Sequence, residues 1–204
     1  GKEMANKDNK KHYISRQESR RIAKENSAKI KYFEKRKKRK LKVEDYTTEM
    51  KDDKNIVEFE NLHTYFFSDA GTVKAVNGVS FDIPKNATVG IVGESGCGKS
   101  VTSMSVMRLL QGPTGQIFSG EIRFHAKEKV YDIAKMPMRD IHKIRGNEIA
   151  MIFQDPLSAL NPIMRIGKQI TEAMLLKNKA NRKEGRETFN KTLAELSDMM
   201  KFAV

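Results

Sequence analysis

Eight consecutive residues, Gly93-Glu94-Ser95-Gly96-Cys97-Gly98-Lys99-Ser100, constrain this chain more than any other stretch. They satisfy G-x-x-x-x-G-K-[ST] at every position. They follow the apolar run Thr88-Val89-Gly90-Ile91-Val92 and precede a helix-forming stretch at 101–110. Strand, glycine-rich turn and helix, in that order, make the pattern a phosphate-binding loop. Successive backbone N–H groups from Ser95 to Ser100 can wrap phosphate oxygens as a nest. The helix adds its free N–H groups and the positive end of its dipole. Lys99 can reach the β- and γ-oxygens, and the Ser100 hydroxyl suits Mg²⁺. The expected nucleotide-binding set is Gly93, Ser95, Gly96, Cys97, Gly98, Lys99 and Ser100. The loop specifies a nucleotide phosphate and leaves the reaction open.

The 204 residues suit one domain, or one domain with a tail, and carry a net charge of +13. Residues 1–54 hold 19 Lys/Arg against 10 Asp/Glu, a net +9, so most of the basicity belongs to an N-terminal arm. Cys97 is the one cysteine, which excludes an intrachain disulfide and fits a reducing compartment. It reads as a small loop residue rather than a redox switch. No apolar run approaches the roughly 18–20 residues of a membrane span, and no signal-peptide pattern opens the chain. Any membrane association is expected to be peripheral.

The arm, residues 1–54, contains the basic block Lys35-Arg36-Lys37-Lys38-Arg39-Lys40. Residues 16–40 are good helix formers, but Ile22, Ile30 and Phe33 are the only apolar anchors, too sparse to bury a core. The expectation is a solvated arm, partly helical and partly disordered. A contact with anionic lipid is the next reading. Nucleic-acid binding is not expected, because the arm lacks interleaved aromatics and any recognisable binding module.

From Ile56 the pattern becomes β-like. Short strands are expected at 56–60, 62–67, 73–76 and 79–83, with a turn at Ser68-Asp69-Ala70-Gly71. Residues 117–124 and 130–133 read as a hairpin, 137–145 as a short helix and 148–153 as a buried strand. Helices are expected at 166–176 and 187–200. The eleven methionines read as core filler.

These residues resemble the ATP-binding subunits of ABC transporters, in the branch importing oligopeptides, dipeptides and nickel. Four stretches carry the resemblance: Val89-Gly90-Ile91-Val92 with the phosphate loop, Ala75-Val76-Asn77-Gly78-Val79-Ser80-Phe81, Met151-Ile152-Phe153-Gln154-Asp155-Pro156 and Leu160-Asn161-Pro162. It covers roughly residues 56–200. It implies an α/β P-loop NTPase core with an antiparallel β subdomain, and two segments: the arm at 1–54 and the N-terminal part of a nucleotide-binding domain at 55–204. It implies that an aromatic four positions after Leu62, Phe66, stacks on adenine, with Tyr65 and Phe67 as rivals. It makes Gln154 the Q-loop glutamine, touching Mg²⁺ and the attacking water. ATP and Mg²⁺ are then the cofactors. The implied partners are membrane-spanning permease subunits and a second ATPase subunit, a paralogue. The implied location is the cytoplasmic face of the cell membrane.

The family's L-S-G-G-x signature, its Asp-Glu-ending strand and its switch histidine have no match here; His12, His63, His125 and His142 lie in other contexts. Other readings are a different P-loop enzyme or a truncated nucleotide-binding module that does not turn over. No guanine-specific Asn-Lys-x-Asp is present; Asn6-Lys7-Asp8-Asn9 does not fit. Phosphoryl transfer needs a held metal and a positioned water. These 204 residues alone are therefore expected to show negligible hydrolysis, and turnover of the purified chain near ~1 s⁻¹, the low end for ordinary enzymes, would contradict this.

Overall fold

The computed structural model describes residues 15–154 and 160–169, with single positions at 172, 187, 190 and 191. The chain divides into two compact units, Gly1–Ile149 and Ala150–Val204. In the first, helix α1 (Arg16–Lys37) is followed by a 3₁₀ turn at Val43–Tyr46. Then come β1 (Thr47–Thr48), β2 (Asn55–Ser68), β3 (Gly71–Pro84), α2 (Lys99–Val106), β4 (Gly115–His125), β5 (Val130–Asp132) and α3 (Met138–Ile144). The strands form one antiparallel sheet in the order β1-β5-β4-β2-β3.

The four short strands expected between 56 and 83 are two long ones, each creased in the middle. Asn61 on β2, Gly78 on β3 and Gly120 on β4 all have positive φ (46°, 80° and 93°), and the strand registers shift around them. Each is a bulge, and a one-residue bulge exchanges the faces of the residues after it. On β2 the core takes Val57 and Phe59 before the crease and Leu62 after it. On β4 it takes Ile117 before and Ile122 and Phe124 after. On β3 it takes Val76 before and Phe81 and Ile83 after. The parity changes on all three strands at one level, so the same sheet face stays apolar throughout. That face meets Val101 and Val106 of α2 and Ile141 and Ile144 of α3. A Cβ on Gly120 would lie 2.3 Å from the Asn61 carbonyl oxygen, so the strands approach too closely there for any other residue.

The hairpin expected at 117–133 forms, as β4 and β5. The short helix expected at 137–145 is α3, capped by Pro137. The expected strands at 88–92 and 148–153 do not form. Residues 88–92 pair with no strand among the described residues, and Val92 is 93% exposed. Of 148–153 only Ile149 bridges, to Arg145, while Ile152 is 92% exposed. A buried parallel strand exists only with ladder partners beside it, and neither run has them among the described residues.

Over its described part the arm is helical and mostly exposed, but it docks on the sheet at a few buried points. Ser15 caps α1 by accepting from the Glu18 N–H. Phe33 is buried in a small second core with Tyr65 and Phe67. Buried Asn26 donates to the carbonyls of Ser68 and Gly71 (2.7 and 3.0 Å) and accepts from the Thr72 hydroxyl. Few anchors suffice because one is a large ring and another satisfies the β2–β3 turn. Further on, Tyr46 is buried in the main core and donates to Asp140 of α3, and β1 joins the sheet through β5.

In the second unit, residues 166–169 and 172 are helical, as are 187, 190 and 191. The rest of the helices expected at 166–176 and 187–200 lies outside the described residues. Gln169 closes the Leu160-Asn161-Pro162 turn by accepting from the Asn161 N–H and donating to the Asn161 and Met164 carbonyls.

Docking of α1 is measurable. Phe33→Ala is expected to destabilise the chain by about 3 kcal/mol, and Asn26→Ala by about 1–2 kcal/mol, in urea unfolding. Unchanged midpoints for both would return the arm to a solvated one.

Candidate functional site

The phosphate loop hangs between the unpaired run at 88–92 and the first turn of α2. Gly98, the N-cap of α2, has φ +97°, and a Cβ there would stand 2.3 Å from the Ala75 carbonyl oxygen. The loop therefore presses directly on the backbone of β3, and only glycine allows both the conformation and the approach. Gly98 is buried, whereas Gly93, Ser95, Gly96, Cys97 and Ser100 are exposed and open to a ligand. The N–H groups of the first helical turn have no acceptor within the helix. The Lys99 ammonium folds back over the loop, donating to the carbonyls of Gly93 (2.6 Å) and Glu94 (2.8 Å), with the Cys97 Sγ at 3.5 Å. All seven expected loop residues are thus brought together, with the cation across their mouth.

Helix α2 is held from both ends. The Ser105 hydroxyl donates to the Val101 carbonyl, so it accepts from the Thr64 hydroxyl at 2.9 Å; both groups are fully buried. At its C-terminus the helix stops short of the expected 110, because Arg108 turns to φ +52°. Arg145 donates to the Met107 and Arg108 carbonyls (2.7 and 2.8 Å), a cation on the negative end of the helix. Burial first, then the nearby Arg145, pushes the Arg108 pKa down to about 10. Thr64, Ser105 and Arg145 escaped the sequence reading. A lone threonine and serine carry no signal, and Arg145 looked like the end of a helix.

The crease separates the three rival aromatics. After Asn61 the even-numbered residues of β2, Leu62 and Thr64, face the main core and α2. Tyr65 and Phe67 lie on the other face, with Phe33 of α1 packed against Phe67 and Tyr65 stacked on Phe118. Alternation gives Phe66 to the α2 face, half-buried, with its ring against Gly115. Gln154 belongs to the second unit, where it is exposed at a bend. No group of three His, Cys, Asp or Glu fit for a metal occurs among the described residues. The exposed Ser100 hydroxyl is a hard oxygen donor of the kind Mg²⁺ takes beside waters and phosphate oxygens.

Fold and loop together define a P-loop nucleotide-binding protein with an antiparallel β subdomain. Residues 76–202 match the ABC transporter family model, and the chain belongs to that family. It is 46% identical over 132 residues to the oligopeptide transport ATP-binding protein AppD of Bacillus subtilis, covering 65% of this chain and 39% of that protein. The dipeptide transport ATP-binding protein DppD of the same organism is 46% identical over 132 residues, covering 65% of this chain and 38% of that protein. The oligopeptide transport ATP-binding protein OppD of B. subtilis is 41% identical over 145 residues, covering 71% of this chain and 38% of that protein. The chain thus spans less than two fifths of each of these relatives. Among the described residues no helix is long and apolar enough to cross a membrane.

Gly98→Ala is expected to lower stability by about 1–3 kcal/mol, the scale of a non-glycine residue forced into the left-handed region. It should also shift the backbone amide resonances of residues 93–100 in ¹H–¹⁵N spectra. A parent-like spectrum and melting curve would remove Gly98 from the loop's architecture.

Proposed function

We propose that this chain is the nucleotide-phosphate-binding part of an ABC importer's ATP-binding subunit, coupling ATP binding and hydrolysis to the uptake of oligopeptides. The observation that carries the proposal is that the phosphate loop opens α2, and that strand alternation puts Phe66 on the side of β2 where Thr64 meets α2, while α1 packs beside Tyr65 and Phe67 on the other. In this reading Gly93, Ser95, Gly96, Cys97, Gly98, Lys99 and Ser100 cradle the phosphates, and Phe66 stacks on adenine. Ser100 and Gln154 contribute oxygens to Mg²⁺, and Gln154 orients the attacking water. The metal, when bound, would offset charge developing on the phosphates.

The names of the relatives support peptide transport as the setting. Membrane-spanning permease subunits and a second ATPase subunit, a paralogue, would complete the assembly at the cytoplasmic face of the membrane. In this reading hydrolysis is the work of the assembled subunits, since these 204 residues contain no match to the carboxylate strand, signature or switch histidine. The block Lys35–Lys40 would add contact with anionic headgroups, at ~1 kcal/mol per cation near such a surface.

Calorimetric titration with MgATP tests the site. Lys99→Ala removes a charged hydrogen-bond donor and should weaken binding roughly 10- to 100-fold. Phe66→Ala should weaken ATP by roughly 10-fold, the scale of base–aromatic stacking, while leaving the affinity for inorganic triphosphate unchanged. Parent-like ATP affinity in Lys99→Ala would sink the loop assignment. Parent-like affinity in Phe66→Ala would place adenine elsewhere.

A further inference from the structure

A cavity of about 530 Å³ lies within the first unit, where the end of α1 meets the segment after α2 and the turn after β5. Its volume falls in the range of small-molecule sites. Phe33, Ile117 and Met136 give it an apolar wall. Arg36, Arg39 and Arg108 give it a cationic one.

The charge on that wall is only partly compensated: Asp132 and Glu34 act on Arg108 at a distance, without an ion pair. Of the carboxylates at the cavity, Glu34 is taken by Lys37 (2.8 Å) and by the Gln116 amide (3.0 Å), and Asp45 accepts from the Lys42 N–H. Lys135 is taken by Asp132 and Glu121. Arg108 commits only Nη1, to the carbonyls of Ile133, Ala134 and Met136; its Nε and Nη2 have no acceptor among the described residues. Arg36 rests its guanidinium 5.9 Å from the Tyr32 ring centroid without an ion pair, and the Arg39 side chain has no polar partner among the described residues. Burial and then Arg145 hold the Arg108 pKa down, Arg36 adds to that repulsion, and Asp132 and Glu34 offset part of it. Three guanidinium groups around one apolar-backed space, none in an ion pair among the described residues, leave room for an anion. A guanidinium fork matches phosphate oxygens in pairs.

We propose that this cavity is a second anion site, separate from the phosphate loop, taking the phosphate monoester group of a soluble small molecule or of a lipid headgroup. Arg36, Arg39 and the free edge of Arg108 hold the phosphate. Phe33, Ile117 and Met136 receive the apolar body next to it. The site stands apart from the nucleotide reading, because none of its residues belongs to the loop.

The test uses the intact chain carrying Lys99→Ala, which weakens the phosphate loop. Phenyl phosphate is titrated by ¹H–¹⁵N NMR, and phosphatidylcholine vesicles with and without phosphatidic acid are tested by co-sedimentation. Saturable shifts at residues lining the cavity, or acid-lipid-dependent sedimentation that phenyl phosphate competes away, are expected. The first outcome alone assigns a soluble ester, and the second assigns a lipid. The pair Arg36→Gln/Arg39→Gln should weaken either signal by roughly tenfold or more. Both positions are exposed, so folding should be kept. The pair Lys35→Gln/Lys38→Gln removes the same charge outside the cavity and should leave the phenyl phosphate shifts unchanged, lowering only the sedimentation that phenyl phosphate does not compete away. Absence of saturable binding, vesicle binding that phenyl phosphate leaves wholly intact, or equal losses in the two pairs would overturn the proposal.

Discussion

The crease through Asn61, Gly78 and Gly120 is the constraint on which the first unit depends. An antiparallel strand alternates its faces strictly, so a 14-residue strand with one bulge changes which parity points inward. Had only β2 bulged, its second half would have turned its apolar residues away from those of β3 and β4. All three strands bulge at one level, and the apolar face is therefore unbroken from Val57 to Phe66. The opposite face is freed for a separate use: its Tyr65, Phe67 and Phe118 are covered by Phe33 of α1. One backbone feature thus decides both where the main core runs and where the basic helix docks.

The same feature reaches the phosphate loop. Thr64 owes its inward position to the parity after Asn61, and Thr64 is the residue that pins Ser105 of α2. A buried hydroxyl pair must be mutually satisfied or it costs more than it contributes, so it also fixes the rotation of the helix. At the other end, Gly98 rests on the Ala75 carbonyl, three residues before Gly78. The loop is therefore positioned by the antiparallel sheet on one side and by Arg145 at the far end of α2.

The phosphate-loop motif is local: eight adjacent residues offer donors, cation and hydroxyl, and the structure places them at the start of α2. The hairpin of β4 and β5 and the helix α3 were legible from alternation and from Gly146 after the helix. Strands β2 and β3 were read in halves because a bulge interrupts alternation just as a turn does; Gly78 inside an apolar pattern was the available sign. Docking of α1 was not legible, since sparse apolar spacing cannot reveal that Asn26 finds two free carbonyls at a distant turn. The runs at 88–92 and 148–153 carry the composition of buried strands, yet a strand is a relation between segments, and their partners are not among the described residues. The choice among Tyr65, Phe66 and Phe67 was open in the sequence because only the parity after the crease distinguishes them.

The loop is anchored through Gly98 and α2, and the Lys99 ammonium ties it together by bonding the Gly93 and Glu94 carbonyls from the helix side. Those acceptors are neutral carbonyls. Phosphate oxygens are ionised, and charge-assisted hydrogen bonds are roughly twice as strong as bonds between neutral groups. An arriving phosphate therefore competes well for the cation, while the carbonyls remain near enough to keep Lys99 aimed across the loop. The lysine that the proposed function makes the ligand's counter-charge is, in this structure, the loop's own brace.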